Sequence, residues 1–431
     1  MKRFLFLFPV WLLSLWLLPL LLAATPAAAD TGWVQAVADG FEARYLTESP
    51  YCPTLETDTG KVAMRARAQA NADFPLLCAA SLPAGAAHAA IEGASLPLPV
   101  TNPQRILVLG DTGCRIAGDE TQACNDPAQW PFPVVARAAA ALKPDLIIHL
   151  GDYLYRETPC PAGAAGCAGS PYGDNWAAWQ ADFFTPAAPL LASAPIVLVR
   201  GNHEDCGRMG AGWLRLMGPG TFSTGPCKPH LPLYTVDLGD MRLAVMDDAT
   251  APETAINKAD LPSYAAELAG LAAIPAPVWF VHHRPIWAAI SGPLGLPVGG
   301  NLTLMAAAAE AGGKTLIPDP PVTLMLSGHI HSFQILNYDS GVPPQIVAGN
   351  GGDSLHDVPR ILKGTIFQGH SGVSVLDGLS VGGFGFLLMT RMAEGGWSME
   401  LFDGKGAPER SCHFTPRKDD TPGRLACDPR R

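Results

Sequence analysis

"LIIHLGDYLY", residues 146–155, runs three apolar residues and then Leu150 into a Gly151-Asp152 turn, with Tyr155 three positions beyond the aspartate. Short aliphatic runs between turn-forming residues fit strands covered on both faces. The same grammar recurs in "RILVLGDTG" (105–113), "APIVLVRGNHED" (194–205), "PVWFVHHRP" (277–285) and "VTLMLSGHIHSF" (322–333). Between these units, "PFPVVARAAAALK" (131–143), "NWAAWQADFF" (175–184), "YAAELAGLAA" (264–273) and "NLTLMAAAAEAG" (301–312) fit helices, which predicts an α/β class. "LYTVDLGDMRLAVMDD" (233–248) and "GFGFLLMTRMAEGGWSMELFD" (383–403) read as hairpins turning at Gly239-Asp240 and near Gly395-Gly396, so the sheets are expected to be mixed.

Ligands of α/β sheets gather outside the carboxyl ends of the strands, where all five polar turns fall. They carry Asp111, Asp152, Tyr155, Asn202, His203, His282, His283, His329 and His331. Taken singly, a Gly-Asp or Asn-His pair is ordinary turn or capping chemistry. As a set, oxygen and imidazole donors in this number suit two adjacent cations of the first-row or zinc type, and a carboxylate can bridge such a pair.

The ordered series Gly-Asp-Thr-Gly (110–113), Gly-Asp-Tyr-Leu-Tyr (151–155), Gly-Asn-His-Glu (201–204), His-His-Arg-Pro (282–285) and Gly-His-Ile-His (328–331) resembles the calcineurin-like metallophosphoesterase superfamily. Within it, the series is similar to the purple acid phosphatase branch. The superfamily's first motif is usually Asp-x-His, whereas position 113 here is glycine. That branch makes the same substitution and takes a tyrosine from Gly-Asp-x-x-Tyr, the spacing of Gly151 to Tyr155. The resemblance implies a sandwich of mixed β-sheets flanked by helices.

It also implies a dinuclear centre. Asp111, Asp152, Tyr155 and His331 would hold the first metal, and Asp152 would bridge. Asn202, His329 and one of the paired histidines would complete the second. The family places that ligand two residues before a proline, which selects His283; His282 follows the strand more directly and is the alternative. His203 would bind the phosphate and protonate the departing alkoxide, and the alternative is a structural histidine held by Glu204 or Asp205. Arg284 is either a phosphate ligand or a solvated charge. The glycines of "VAGNGGDS" (347–354) are read as permitting tight backbone, and His230, His356 and His370 as ordinary residues near the pocket. A phenolate is a hard anionic ligand, so the expected metals are Fe(III) with Fe, Zn or Mn. The implied reaction is hydrolysis of small-molecule phosphate monoesters by a bridging hydroxide. One alternative is a phosphodiesterase acting on nucleotides or phospholipid headgroups, and another is a non-catalytic metal-dependent binding protein.

Residues 1–29 read as a secretory leader, with basic Lys2 and Arg3, a long apolar run and a small-residue site ending Ala27-Ala28-Ala29. An uncleaved anchor is the rival, because the run approaches the length that spans a bilayer. All 10 cysteines lie beyond Ala29, and none forms a Cys-x-x-Cys pair, so disulfides are expected rather than a zinc-thiolate site. A periplasmic or secreted protein follows, with no membrane attachment after cleavage. The net charge of −10 gives no nucleic-acid-binding signal. Oligomeric state is not legible. The expected division is a leader (1–29), a small disulfide-containing N-terminal region (30–100), a catalytic domain (101–405) and a disulfide-stapled tail (406–431).

Overall fold

The structure, a computed structural model, describes residues 30–311, 316–339, 341–367, 372–419 and 421–429. The expected leader and His370 lie outside these residues.

Two large sheets face each other. At the middle of the first, Arg105–Leu109, Leu146–His149 and Ile196–Leu198 run parallel, with Ile147 opposite Leu107 and Ile196. At the middle of the second, Arg242–Val245, Val278–Val281, Val322–Ser327 and Gln345–Ala348 run parallel, and antiparallel strands flank them. Five of these seven are the strands expected from the apolar runs, Arg242–Val245 belongs to an expected hairpin, and Gln345–Ala348 was not foreseen; burial on both faces explains the lack of polar alternation. Ile106 and Val108 point into the core between the sheets with Ile148, Leu243, Val281 and Leu326. Leu107 and Leu109 point the other way, onto Val135 and Ala139 of the helix Phe132–Ala141. Across the molecule, Ala244, Phe280 and Met325 pack on Leu268 of the helix Leu261–Gly270 and Leu304 of the helix Leu302–Glu310. The layers are therefore helix, sheet, sheet, helix, each strand supplying both of its faces.

Both expected hairpins form, pairing Tyr234–Asp237 with Arg242–Val245 and Gly385–Arg391 with Trp397–Asp403. The stretch 175–184 is less regular than a single helix: four α-helical residues pass into a π-helical turn at Gln180–Phe184 and then into Thr185–Leu191.

The flanking regions are built into the first sheet rather than set beside it. Thr31–Val37 pairs in parallel with Ile196–Leu198 and folds back through Asp39-Gly40 onto Gly40–Thr47. Leu76–Ser81 and Arg65–Ala68 extend that edge, and Pro408–Thr415 with Arg424–Cys427 extends the other, giving eleven strands. An open strand edge exposes unpaired N–H and C=O groups, and these segments cover it. Within the N-terminal region, Thr54–Thr57, Gly60–Ala63, Ala89–Ile91 and Ala94–Ser95 make a sheet of their own. Five disulfides join the cysteines in sequence order: Cys52–Cys78, Cys114–Cys124, Cys160–Cys167, Cys206–Cys227 and Cys412–Cys427. Such a set fits an oxidising compartment. Among the described residues, no helix is long and apolar enough to cross a membrane.

Candidate metal centre

Three strand ends of the first sheet and two of the second converge. Leu146–His149 delivers Asp152, whose Oδ2 lies 2.7 Å from the Tyr155 hydroxyl and 3.2 Å from His283 Nε2. Arg105–Leu109 delivers Asp111, whose Oδ1 is 3.3 Å from the same hydroxyl and 3.4 Å from His331 Nε2. Asn202 Oδ1 lies 3.0 Å from His283 Nε2, and the His329 N–H donates to both Asp111 oxygens. Asp111, Asp152 and His331 bring one donor atom each to within 4.8 Å of one another, and so do Asp152, His283 and His329. The two groups share Asp152.

The backbone bends sharply to do this. Asp111, Asp152 and His329 have φ of 56°, 58° and 66°, the left-handed region that costs residues with a Cβ of order 1–3 kcal/mol each. Asp152 turns against Gly201, where an added Cβ would stand 2.1 Å from its Oδ1. Glu204 fixes the two turns together: its carboxylate accepts the N–H groups of Asp152, Tyr153, Leu154 and Gly201.

Position 113 explains the tyrosine. A Cβ there would lie 2.7 Å from Tyr155 Cδ2, 2.8 Å from Tyr153 O and 2.9 Å from Asp182 Oδ2. The glycine leaves the volume that the Tyr155 ring fills, and Asp182 locks both sides by accepting the N–H of Tyr155 and of Cys114. Gly113→Ala is expected to cost about 1–3 kcal/mol of unfolding free energy, the usual range for overpacking. A denaturant midpoint equal to that of the parent would refute this.

The electrostatics favour cations. Burial, Asp152 and Asp111 hold the Tyr155 phenol well above its ordinary range. Burial works to lower His283 and His331, yet the carboxylates beside them push the two up to about 10 and about 9. A field that retains protons on buried imidazoles is one that bound cations would neutralise. Together with the oxygen and nitrogen donors and a shared carboxylate, it fits two metal ions.

The paired histidines separate cleanly. His283 Nδ1 bonds the Leu150 carbonyl at 2.7 Å, which turns Nε2 toward Asp152. His282 points elsewhere, with Nδ1 2.9 Å from Asp248 and its ring stacked on Phe280. Arg284 pairs with Glu253, which also meets His329 Nε2 at 2.9 Å. His203 is not held by Glu204 or Asp205 through its ring: Nδ1 bonds Glu157 Oε1 at 2.5 Å, and the ring lies 3.9 Å from that of Tyr155. His356 stacks on His331 at 4.4 Å, whereas His230 pairs with Glu267 at 2.9 Å.

Sequence reading missed Glu157, Asp248, Glu253 and Asp353. Asp248 had a signal, because "RLAVMDD" (242–248) repeats the apolar run and acidic turn of the other units. Asp353 follows the glycines of the 347–354 turn and pairs with Arg115, whose guanidinium lies 4.9 Å from the Tyr155 ring. Glu157 and Glu253 sit in loops with no pattern.

The model of the calcineurin-like phosphoesterase family matches residues 104–333, more than half the chain. The chain belongs to this family. The phosphoesterase shares its fold with a purple acid phosphatase from yellow lupin (Lupinus luteus) seeds at 14% identity and a TM-score of 0.55, over 89% of this chain and 73% of that one. It is also similar to GAP50, the anchor in the inner membrane complex of Plasmodium, at 17% identity and a TM-score of 0.43, over 74% of this chain and 90% of that one. No curated protein matches it.

Proposed function

We propose that this phosphoesterase hydrolyses phosphate monoesters at a dinuclear metal centre of the purple acid phosphatase type. The observation that carries the reading is the pair of donor groups sharing Asp152, with Tyr155 filling the space beside Gly113. Asp111, Asp152, Tyr155 and His331 would hold one ion, and Asp152, Asn202, His283 and His329 the other. Such ions supply charge that neutralises the phosphoryl oxygens and activates water.

The chain's own residues supply the rest. His203 lies beside the centre with Nδ1 engaged by Glu157, so Nε2 is the atom left to hold a proton for the leaving alkoxide. Glu157 orients the ring. Leu150 O and Ser354 O bond the Nδ1 atoms of His283 and His331, leaving both Nε2 atoms for the ions. The pairing of Arg284 with Glu253 argues for a role in fixing the His329 side rather than in gripping substrate.

The deciding experiment compares turnover of 4-nitrophenyl phosphate and bis(4-nitrophenyl) phosphate, run beside metal analysis. Preference for the monoester supports this reading. Preference for the diester would replace it with a phosphodiesterase, and failure on both would remove the enzymatic reading.

The hardness of a phenolate favours Fe(III) beside Tyr155, with Fe, Zn or Mn as its neighbour. The purified protein should therefore absorb in the visible, and Tyr155→Phe should abolish the band. Tyr153→Phe should keep it while losing about 1 kcal/mol of stability, because the Tyr153 hydroxyl is buried and donates to Val199 O. A band that survives at 155 and disappears at 153 would reverse the assignment.

A further inference from the structure

A cavity of about 620 Å³ opens away from the candidate ligands, between the N-terminal strands and the loop that follows the helix Gly210–Leu216. Its volume is that of a small-molecule site. Leu214, Phe222, Leu231 and Leu233 give it apolar walls. Among the described residues, the charged ones that line it are Arg67, Arg215 and Lys228 and no carboxylate does, although the chain as a whole carries a net −10.

Arg215 is the unusual member. Its residue is 5% exposed, and Nη2 donates to the backbone carbonyls of Gln69 and Pro75. Among the described residues, its Nε–H has no acceptor and no carboxylate pairs with it. Its guanidinium lies 5.3 Å from the Phe74 ring and 5.7 Å from the Phe222 ring. The Tyr234 hydroxyl in the same lining is also buried and, among the described residues, unpartnered. Arg67 has a structural role, donating to the carbonyls of Leu214, Arg215 and Gly218 at the negative end of the helix. Burial and the nearby Arg44 nonetheless lower it to about 9, and Glu42 is engaged by Arg44. Buried charges are normally paired, so a guanidinium held only by carbonyl dipoles and rings lacks its counter-charge.

We propose that this cavity binds a small amphiphilic monoanion, an acyl or aryl body with one anionic head, whose charge balances Arg215 and Lys228 while its body covers the apolar walls. The site is separate from the metal centre, since none of the candidate ligands lines it.

Octanoate and octan-1-ol, titrated calorimetrically into the full-length protein, test this. One octanoate should bind per chain, at least about tenfold more tightly than octanol, a ratio that corresponds to about 1.4 kcal/mol. Arg215→Met and Lys228→Met should each bring octanoate affinity toward that of octanol. The first change also removes bonds to Gln69 and Pro75, so Lys228→Met, at an exposed residue, carries the test where Arg215→Met fails to fold. Equal affinity for octanoate and octanol, or unchanged octanoate binding in Lys228→Met, would overturn the proposal. Loss of octanoate binding in Asp152→Ala would do so as well, by placing the anion at the metal centre.

Discussion

Asp152→Ala should lower kcat/KM for 4-nitrophenyl phosphate by at least about a thousandfold, because it removes the one group common to both donor sets. The effect should exceed that of any other single ligand change. Asp111→Ala or His329→Ala leaves the opposite group whole, whereas Asp152→Ala breaks both. The lost carboxylate also does three further things: it accepts the His203 N–H at 2.9 Å, bonds the Tyr155 hydroxyl and faces His283. Metal analysis should show the loss directly, with both ions depleted relative to the parent. Folding should survive, since Glu204 still binds the N–H groups of residues 152 to 154 and Gly201. A soluble Asp152→Ala protein with parental metal content and activity would end the bridging model.

The residues that lie at strand ends were readable, because a buried strand announces itself as an apolar run and its polar terminus stands out. Asp111, Asp152, Asn202 and the second-sheet histidines were all found this way. The choice between His282 and His283 was not decidable by strand position alone. The structure separates them through Leu150 O on one side and Asp248 on the other, contacts made across 133 and 34 residues of chain. Loop partners such as Glu157 and Glu253 were invisible for the same reason: their roles come from where the loops return, and no periodicity records that. The N-terminal strands went unread on different grounds. "WVQAVADGFEARYL" (33–46) does contain an Asp-Gly hairpin signal, but its Ala-rich strands look weak until they pair with Ile196–Leu198. Arg44 sits in that hairpin fully buried, bonded to Glu42, Gln35 and the carbonyls of Leu216 and Gly218, a polar position that a hydrophobicity pattern scores as surface.

Glu204→Gln should prove the most damaging change to stability outside the candidate metal ligands, lowering the unfolding free energy by about 2–5 kcal/mol through buried N–H groups left without acceptors. One carboxylate oxygen accepts from Tyr153 and Leu154, and the other from Asp152 and Gly201, at distances of 2.8–3.2 Å. Four inward-pointing donors require two acceptors. An amide offers one, and its NH2 would confront the remaining pair. Burial and the adjacent Asp152 push the Glu204 carboxyl up to about 8, while the N–H bonds pull the other way. The side chain is thus held by its donors against an unfavourable environment, which makes the shape of the acceptor matter more than its charge. The cost should also reach the active site. With the Asp152 and Gly201 amides released, the left-handed turn at Asp152 loses its support, and kcat should fall by roughly 10–100-fold, as for other groups that orient a ligand without touching the metal. Urea unfolding, metal content and steady-state kinetics on the same preparation separate these effects. Unchanged stability in Glu204→Gln would mean that the four N–H bonds are replaceable by the amide, and the turn would then owe its shape to Gly201 and the ligands alone.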